Sequence, residues 1–130
     1  MASIFTRIIN REIPSHIVAE DERYIAFLDI NPLTIGHTLV VSKKEVDYLF
    51  DLDDDILAGM NVFSKKVAIA IKKAVPCVRI GVEVIGLEVP HAHVHLIPMN
   101  RTEDLNFMRP KLKPTKEELT EVAERIRKAF

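Results

Sequence analysis

Disulfides are excluded at the outset: Cys77 is the single cysteine in 130 residues, so no bridge can close within the chain, and a reducing compartment is the simpler setting. Excess charge is missing too. The formal net charge is −1, which leaves no global field to draw nucleic acid or an anionic membrane, so neither is expected as a partner. Any phosphate must therefore be held by local groups. There is no 18-residue apolar run that could span a bilayer. The opening segment Met1 to Asn10 is too short in apolar residues for a signal peptide and is interrupted by Arg7, so a cytoplasmic location is expected. Repeats, low-complexity runs and Gly/Ser linkers are also lacking. What is there, 48% hydrophobic and 28% charged residues, is the balance of an ordinary globular protein. The length suits one domain over 1–130 with a core that needs no metal or disulfide staple.

Short apolar runs punctuated by turn residues dominate the first forty positions. Ile4, Phe5 and Ile8 share a helical face, which predicts a turn or short helix. Ile17-Val18-Ala19 and Tyr24 to Leu28 read as strands around the charged turn Glu20 to Arg23. Asn31-Pro32 stops the second, and Gly36 introduces a third at His37 to Val41. Ser42 and Glu45 have the spacing of a capping box, predicting a short helix through Phe50. The acidic cluster Asp51 to Asp55 suits a helix N-terminus. Behind it Ile56, Met60, Phe63, Val67 and Ile71 recur at helical spacing until Pro76 closes the segment, a stripe that reads as core packing. Val78 to Val84 and Ala92 to Pro98 read as two more strands. Thr115 and Glu118 predict the start of a C-terminal helix carrying Leu119, Val122, Ala123 and Ile126. About five strands with few helices, mostly in hairpin-length steps, make the fold class α+β.

Three of the five histidines fall in His91-Ala92-His93-Val94-His95. On a strand, alternate side chains point to one face, so His91, His93 and His95 line one side while Ala92, Val94 and Leu96 supply an apolar set for the other. Pro90 and Pro98 bracket the segment. Three readings stand side by side for the histidine face. It is a solvent-facing polar row; or it supplies two or three nitrogen ligands to a zinc ion; or one neutral imidazole attacks phosphorus while its neighbours orient it and bind charge.

His91-Ala92-His93-Val94-His95-Leu96 resembles the His-φ-His-φ-His-φ-φ signature of the histidine triad (HIT) family. The likeness extends over most of residues 3–100, with 101–130 as a C-terminal helical extension. Ser3 to Asn10 with Glu12-Ile13-Pro14 is similar to the family's N-terminal segment, and Tyr24 to Pro32 followed by Gly36 to Val41 is similar to its central hairpin. The Hint-like, phosphoramidase branch is the most similar. The resemblance implies an HIT-like fold, with a long helix from near Asp54 to Ala74, and hydrolysis or transfer at the α-phosphate of purine nucleoside phosphoramidates or related nucleotides. It implies that His93 attacks phosphorus and forms a nucleotidyl-histidine intermediate. His95 then binds the α-phosphate oxygens and helps the leaving group, His37 supports the triad and His91 holds the local geometry. It further implies that Asp29 accepts the ribose hydroxyls and that Ile4, Phe5, Ile8, Phe27 and Ile30 sandwich the purine of a nucleotide such as AMP. A homodimer built on the long helix and a strand is implied in the same way. The chemistry is consistent: a neutral imidazole predominates at pH 7 with a reference pKa of about 6.5. Asp29 has a simpler reading as the cap of the turn ahead of Asn31-Pro32, and the Ile/Phe set as plain core.

Two departures from the family pattern carry consequences. Many bacterial members hold a structural zinc with Cys-x-x-Cys near the N-terminus, a His after the third strand and the first triad His. Here those positions are Ser3, Thr6 and Glu45, so no structural zinc, and no other metal or cofactor, is expected. The family's Gly-Gln-Ser/Thr-Val stretch before the triad is replaced by Gly86-Leu87-Glu88-Val89. A carboxylate at the hydroxyl position repels phosphate unless it is protonated, paired or turned away. Glu88 is therefore expected to favour a cationic, amine leaving group. A dinucleoside polyphosphate hydrolase on the same triad and a nucleotide-binding module with little turnover are the alternative functions. Arg101, Arg109, Lys111 and Lys113 read as a solvated basic surface.

Overall fold

Two covered faces explain why the central strands carry so few polar residues. In the computed structural model, which describes residues 2–130 and so leaves Met1 of the segment read for a leader outside, the elements run α1 (Ile4–Ile9), β1 (Ile17–Glu20), β2 (Tyr24–Leu28), β3 (Thr38–Ser42), α2 (Asp54–Ala74), β4 (Arg79–Glu83), β5 (His93–Met99) and α3 (Lys116–Lys128). The strands form one antiparallel sheet in the order β1-β2-β3-β5-β4. This is the α+β architecture expected, with the long helix at the expected bounds.

On one face Tyr24, Ala26, Leu28, Val40, Val94 and Leu96 meet Met60, Phe63, Val67 and Ile71 of α2 and Leu119, Val122, Ala123 and Ile126 of α3. The helical stripes read from the sequence are therefore the core-facing sides of both helices. Each buried side chain of this size removes enough apolar surface from water to contribute about 1.5–3 kcal/mol. On the opposite face Ile25, Phe27, Leu39 and Val41 pack against Phe5 and Ile8 of α1. Strand alternation thus divides the sheet between a helix-covered side and the side that carries the histidines.

Local chemistry sets the helix ends. Ser3 caps α1 by accepting from Thr6 N at 3.0 Å, and Arg11 closes it in the left-handed region at φ 63°. Thr115 and Glu118 form the predicted capping box of α3. Two expectations are corrected. Ser42 does not cap a helix: it ends β3, and its hydroxyl donates to Lys44 O. A single 3-10 turn, Leu49–Asp51, stands where the short helix was expected. Glu45 is drawn away because its carboxylate accepts from Ser3 N at 2.7 Å and from the Thr6 hydroxyl. Pro98 also does not end its strand. The β3 ladder stops at Leu96, so Pro98 has only β4 as a neighbour and β5 continues to Met99. Among the described residues, no helix is long and apolar enough to cross a membrane.

Candidate active site

The register of the sheet puts His93 beside Val41 and His95 beside Leu39, so both imidazoles project from the face covered by α1. His91 lies just before the strand rather than in it, yet its ring reaches the same side, 5.8 Å from the Phe5 ring. His37 precedes β3 and meets His95 there. All four histidines are buried. An imidazolium would lose most of its hydration in this setting, and burial holds all four pKa values below the ordinary 6.5. His37 is lowered to about 3 and His95 to about 4, each also by a neighbouring imidazole. The four rings are neutral at pH 7.

A neutral imidazole has one N–H and one lone pair, so each ring's partners settle its tautomer. His37 Nδ1 accepts from Leu33 N at 3.0 Å, which leaves the proton on Nε2 to be donated to His95 Nδ1 at 2.9 Å. His95 must then carry its own proton on Nε2. His93 Nδ1 lies 2.7 Å from the backbone oxygen of His91, which can only accept, so His93 is protonated at Nδ1 and keeps its lone pair on Nε2. His91 donates from Nε2 to Ser42 O at 2.7 Å and accepts at Nδ1 from the Ser3 hydroxyl, also at 2.7 Å. With the His93 and His95 ring centres 4.9 Å apart, an available nitrogen lone pair stands next to an available N–H donor. That pairing suits attack on a phosphorus whose oxygens are held by the donor.

Asp29 sits at the end of β2. One carboxylate oxygen accepts from Asn31 N at 2.9 Å, the turn-capping role read from the sequence, and the other lies 3.7 Å from His37 Nε2. Burial pushes its pKa up. Glu88 is exposed on the loop before the triad, and its charge acts weakly on both His93 and Asp29. The five apolar positions split. Phe5, Ile8 and Phe27 are buried, with Phe5 edge-on to both Phe27 at 5.5 Å and His93 at 5.0 Å. Ile4 and Ile30 are 48% and 59% exposed and thus free to meet a ligand. A cavity of about 320 Å³, lined by Asp47, Tyr48, Phe50, Val84 and Ile85 among others, opens against His93.

The segment beyond Asn100 contributes more than the sequence suggested. Phe107 lies edge-on to His95 at 4.8 Å and to His37 at 6.0 Å, shielding that pair from water. Lys111 is not part of a solvated surface: its ammonium sits 5.4 Å from the centre of the Phe107 ring, donates to Phe107 O at 2.6 Å and acts on the charge of Asp29 and His37. The one available signal was an aromatic and a lysine four residues apart in a proline-bounded loop, which carries no chemistry without the fold.

Two groups of side chains invite a metal and neither fits one. Asp29, His37 and His95 have ligand atoms within 4.8 Å of one another. His37 Nδ1 is occupied by the Leu33 N–H, however, so a metal on Nε2 would require an imidazolate or a second hydrogen facing that donor. Ser3, Thr6, Glu45 and His91, the positions that the resemblance compares with zinc ligands, do converge, but they offer two hydroxyls, one carboxylate and one nitrogen, already joined by hydrogen bonds. This is not the thiolate and imidazole set that tetrahedral zinc takes.

Comparison with known proteins agrees with this geometry. Residues 10–102 match the HIT domain. An uncharacterized HIT-like protein of Borreliella burgdorferi is 39% identical over 113 residues, covering 82% of this chain and 81% of that protein. The adenosine 5'-monophosphoramidase HNT1 of Saccharomyces cerevisiae is 37% identical over 98 residues, covering 75% of this chain and 62% of the yeast protein. The crystal structure of a Hit-like protein involved in cell-cycle regulation from Bartonella henselae superposes with a TM-score of 0.86 at 36% identity, covering 98% of this chain and 96% of that one.

Proposed function

The chain belongs to the HIT family, and from that premise we propose that it hydrolyses purine nucleoside phosphoramidates, AMP derivatives first, at the α-phosphate with His93 as nucleophile. The observation that carries this reading is the tautomer pattern: the His93 Nε2 lone pair beside the His95 Nε2–H. In the first step the Nε2–phosphorus bond forms as the bond from phosphorus to a protonated amine breaks, and the amine departs neutral. In the second, water adds to phosphorus, the neutral imidazole is released, and one proton passes to solvent. His95 donates to the equatorial oxygens throughout. Asp29 is the acceptor for the ribose hydroxyls, and Ile4 and Ile30 meet the base over the packed floor of Phe5, Ile8 and Phe27. The cavity against His93 gives the leaving group room, and Glu88 favours one that is cationic. The similarity to an adenosine 5'-monophosphoramidase supports this choice of substrate.

A second copy of the chain is the proposed partner, since β4 is an edge strand with Val82, and Val78 just before it, about 60% exposed. The deciding experiment compares the parent with His93→Ala on an adenosine phosphoramidate carrying an amine leaving group. Turnover is expected in the parent and its loss in the variant, with AMP binding kept. AMP binding without parental turnover would leave a nucleotide-binding module instead.

A further inference from the structure

The side chains of Ser3, Thr6 and Glu45 reach the catalytic strand without touching the place where substrate would react. One Glu45 carboxylate oxygen accepts from both Ser3 N, at 2.7 Å, and the Thr6 hydroxyl. The Ser3 oxygen accepts from Thr6 N at 3.0 Å, and its hydroxyl donates to His91 Nδ1 at 2.7 Å. The other His91 nitrogen donates to Ser42 O, and Ala92 N donates to Val46 O, both at 2.7 Å. The His91 residue is therefore gripped at its ring and at its outgoing peptide by the segment 42–46 and the start of α1. Its backbone oxygen is the acceptor that keeps the proton of His93 on Nδ1. Every buried polar atom in this chain of contacts has its partner, so loosening one link leaves the next unsatisfied.

We propose that Ser3 and Glu45 are positioning residues for His93: by fixing His91, they hold its carbonyl where it keeps the His93 Nε2 lone pair free to react. Neither residue touches substrate. The role rests on the assignment of His93 as nucleophile, while the tautomer it describes can be read without any substrate. The network also accounts for the choice of residues. Ser3 needs a hydroxyl because it must accept from Thr6 N and donate to His91 at once, which a thiol does poorly and a methyl group cannot do. Glu45 needs only an oxygen that accepts twice, so glutamine can replace it.

The test uses the full chain, with Ser3→Ala, Glu45→Ala and Glu45→Gln. Glu45 lies at the surface, so its variants keep the core intact if the buried Ser3→Ala does not fold. Nitrogen-15 NMR of the imidazoles reads the tautomer, and kcat and KM are measured on the phosphoramidate. The parent is expected to show His93 protonated at Nδ1. Ser3→Ala and Glu45→Ala should move part of that population to Nε2–H and lower kcat by about tenfold, the equivalent of losing one or two hydrogen bonds, with KM changed by less than about twofold. Glu45→Gln should behave as the parent. A loss confined to KM, or a fall in kcat with the His93 tautomer unmoved, would overturn the proposal by assigning the cluster to the seating of α1 alone. An inactive parent whose His93 tautomer still responds to Ser3 and Glu45 would uphold the positioning role and remove the phosphoramidase reading.

Discussion

Acidification from pH 7 to pH 5 should cost this protein a large part of its stability, well above the range where its carboxylates titrate. His37 and His95 are held at about 3 and about 4 against an ordinary value of 6.5. Both folded values lie below the unfolded one. Between pH 6.5 and about 4 the unfolded chain therefore binds protons that the folded chain refuses, and stability falls as pH falls. Each pH unit inside that window is worth about 1.4 kcal/mol per group. The step from pH 7 to 5 thus removes about 2 kcal/mol for each imidazole and about 4 kcal/mol for the pair. His91 and His93 act in the same direction. Asp29, held above its usual range, opposes the trend, since a raised carboxyl gains stability as pH falls. Glu20, Glu45, Asp104 and Glu118 are held low, and they lose their contribution only below about their ordinary values of 3.8–4.5, beneath the step from pH 7 to 5. With an unfolding entropy of about 0.27 kcal/mol/K for a chain of this length, 4 kcal/mol lowers Tm by about 15 °C. Calorimetric melts at half-unit intervals between pH 7 and 5 measure the slope, and His37→Asn should remove about half of it. A Tm that moves by less than about 3 °C would show that the imidazoles are not buried in their neutral form.

Other perturbations test single contacts. Glu88→Ser should raise turnover several-fold for substrates whose leaving group is not an amine, by removing a like charge from the phosphate, while leaving amine substrates little changed; an unaltered ratio between the two classes would sink the selectivity assigned to Glu88. Phe107→Ala lets water reach His95, which raises its pKa toward the ordinary value. The acid limb of kcat/KM should therefore move to higher pH, and an unmoved limb would show that Phe107 does not shield the pair. Gly59→Ala drives a methyl into the Tyr24 hydroxyl, which donates to Ile56 O at 2.8 Å. Displacing it should cost about 2–3 kcal/mol in urea unfolding, and less in a Tyr24→Phe background; a cost below about 0.5 kcal/mol would mean that the ring has room to move.

Strand and helix identities were legible because they depend on local periodicity. The stripe from Met60 to Ile71 and the alternation through His93, Val94 and His95 state which side each residue faces before any tertiary contact is known. Glu45 shows where local reading fails. Its spacing from Ser42 satisfies a capping box, but Ser3 N and the Thr6 hydroxyl, about forty positions away, compete for the same oxygen and win. Lys111 was illegible for a related reason. A cation in a proline-bounded loop reads as solvated until the fold brings Phe107 beneath it. The site's residue types could be read, then, while the tautomers that give them roles depend on backbone partners that only the fold supplies: Ser42 O, which accepts from His91, and Leu33 N, which donates to His37.

Those backbone partners explain why stability and reactivity cannot be tuned separately here. A histidine on the protein surface would be neutral at pH 7 too, but either nitrogen could carry its proton, and water would compete for the lone pair. Burying His93 against Phe5 and tying its Nδ1–H to His91 O removes both freedoms. The cost is a core face that protonation destabilises. The remedy within the fold is to pair one nitrogen of three of the four rings with a group whose hydrogen-bonding role cannot reverse: a backbone carbonyl for His91 and His93, a backbone amide for His37. Only His95 is held by another imidazole. Its tautomer is therefore fixed one step removed, through Leu33 N and His37, so His37→Asn should disturb His95 as well as the acid slope. Imidazole nitrogen-15 shifts of His95 in that variant would read the coupling, and a His95 still protonated wholly at Nε2 would show that something other than His37 fixes it.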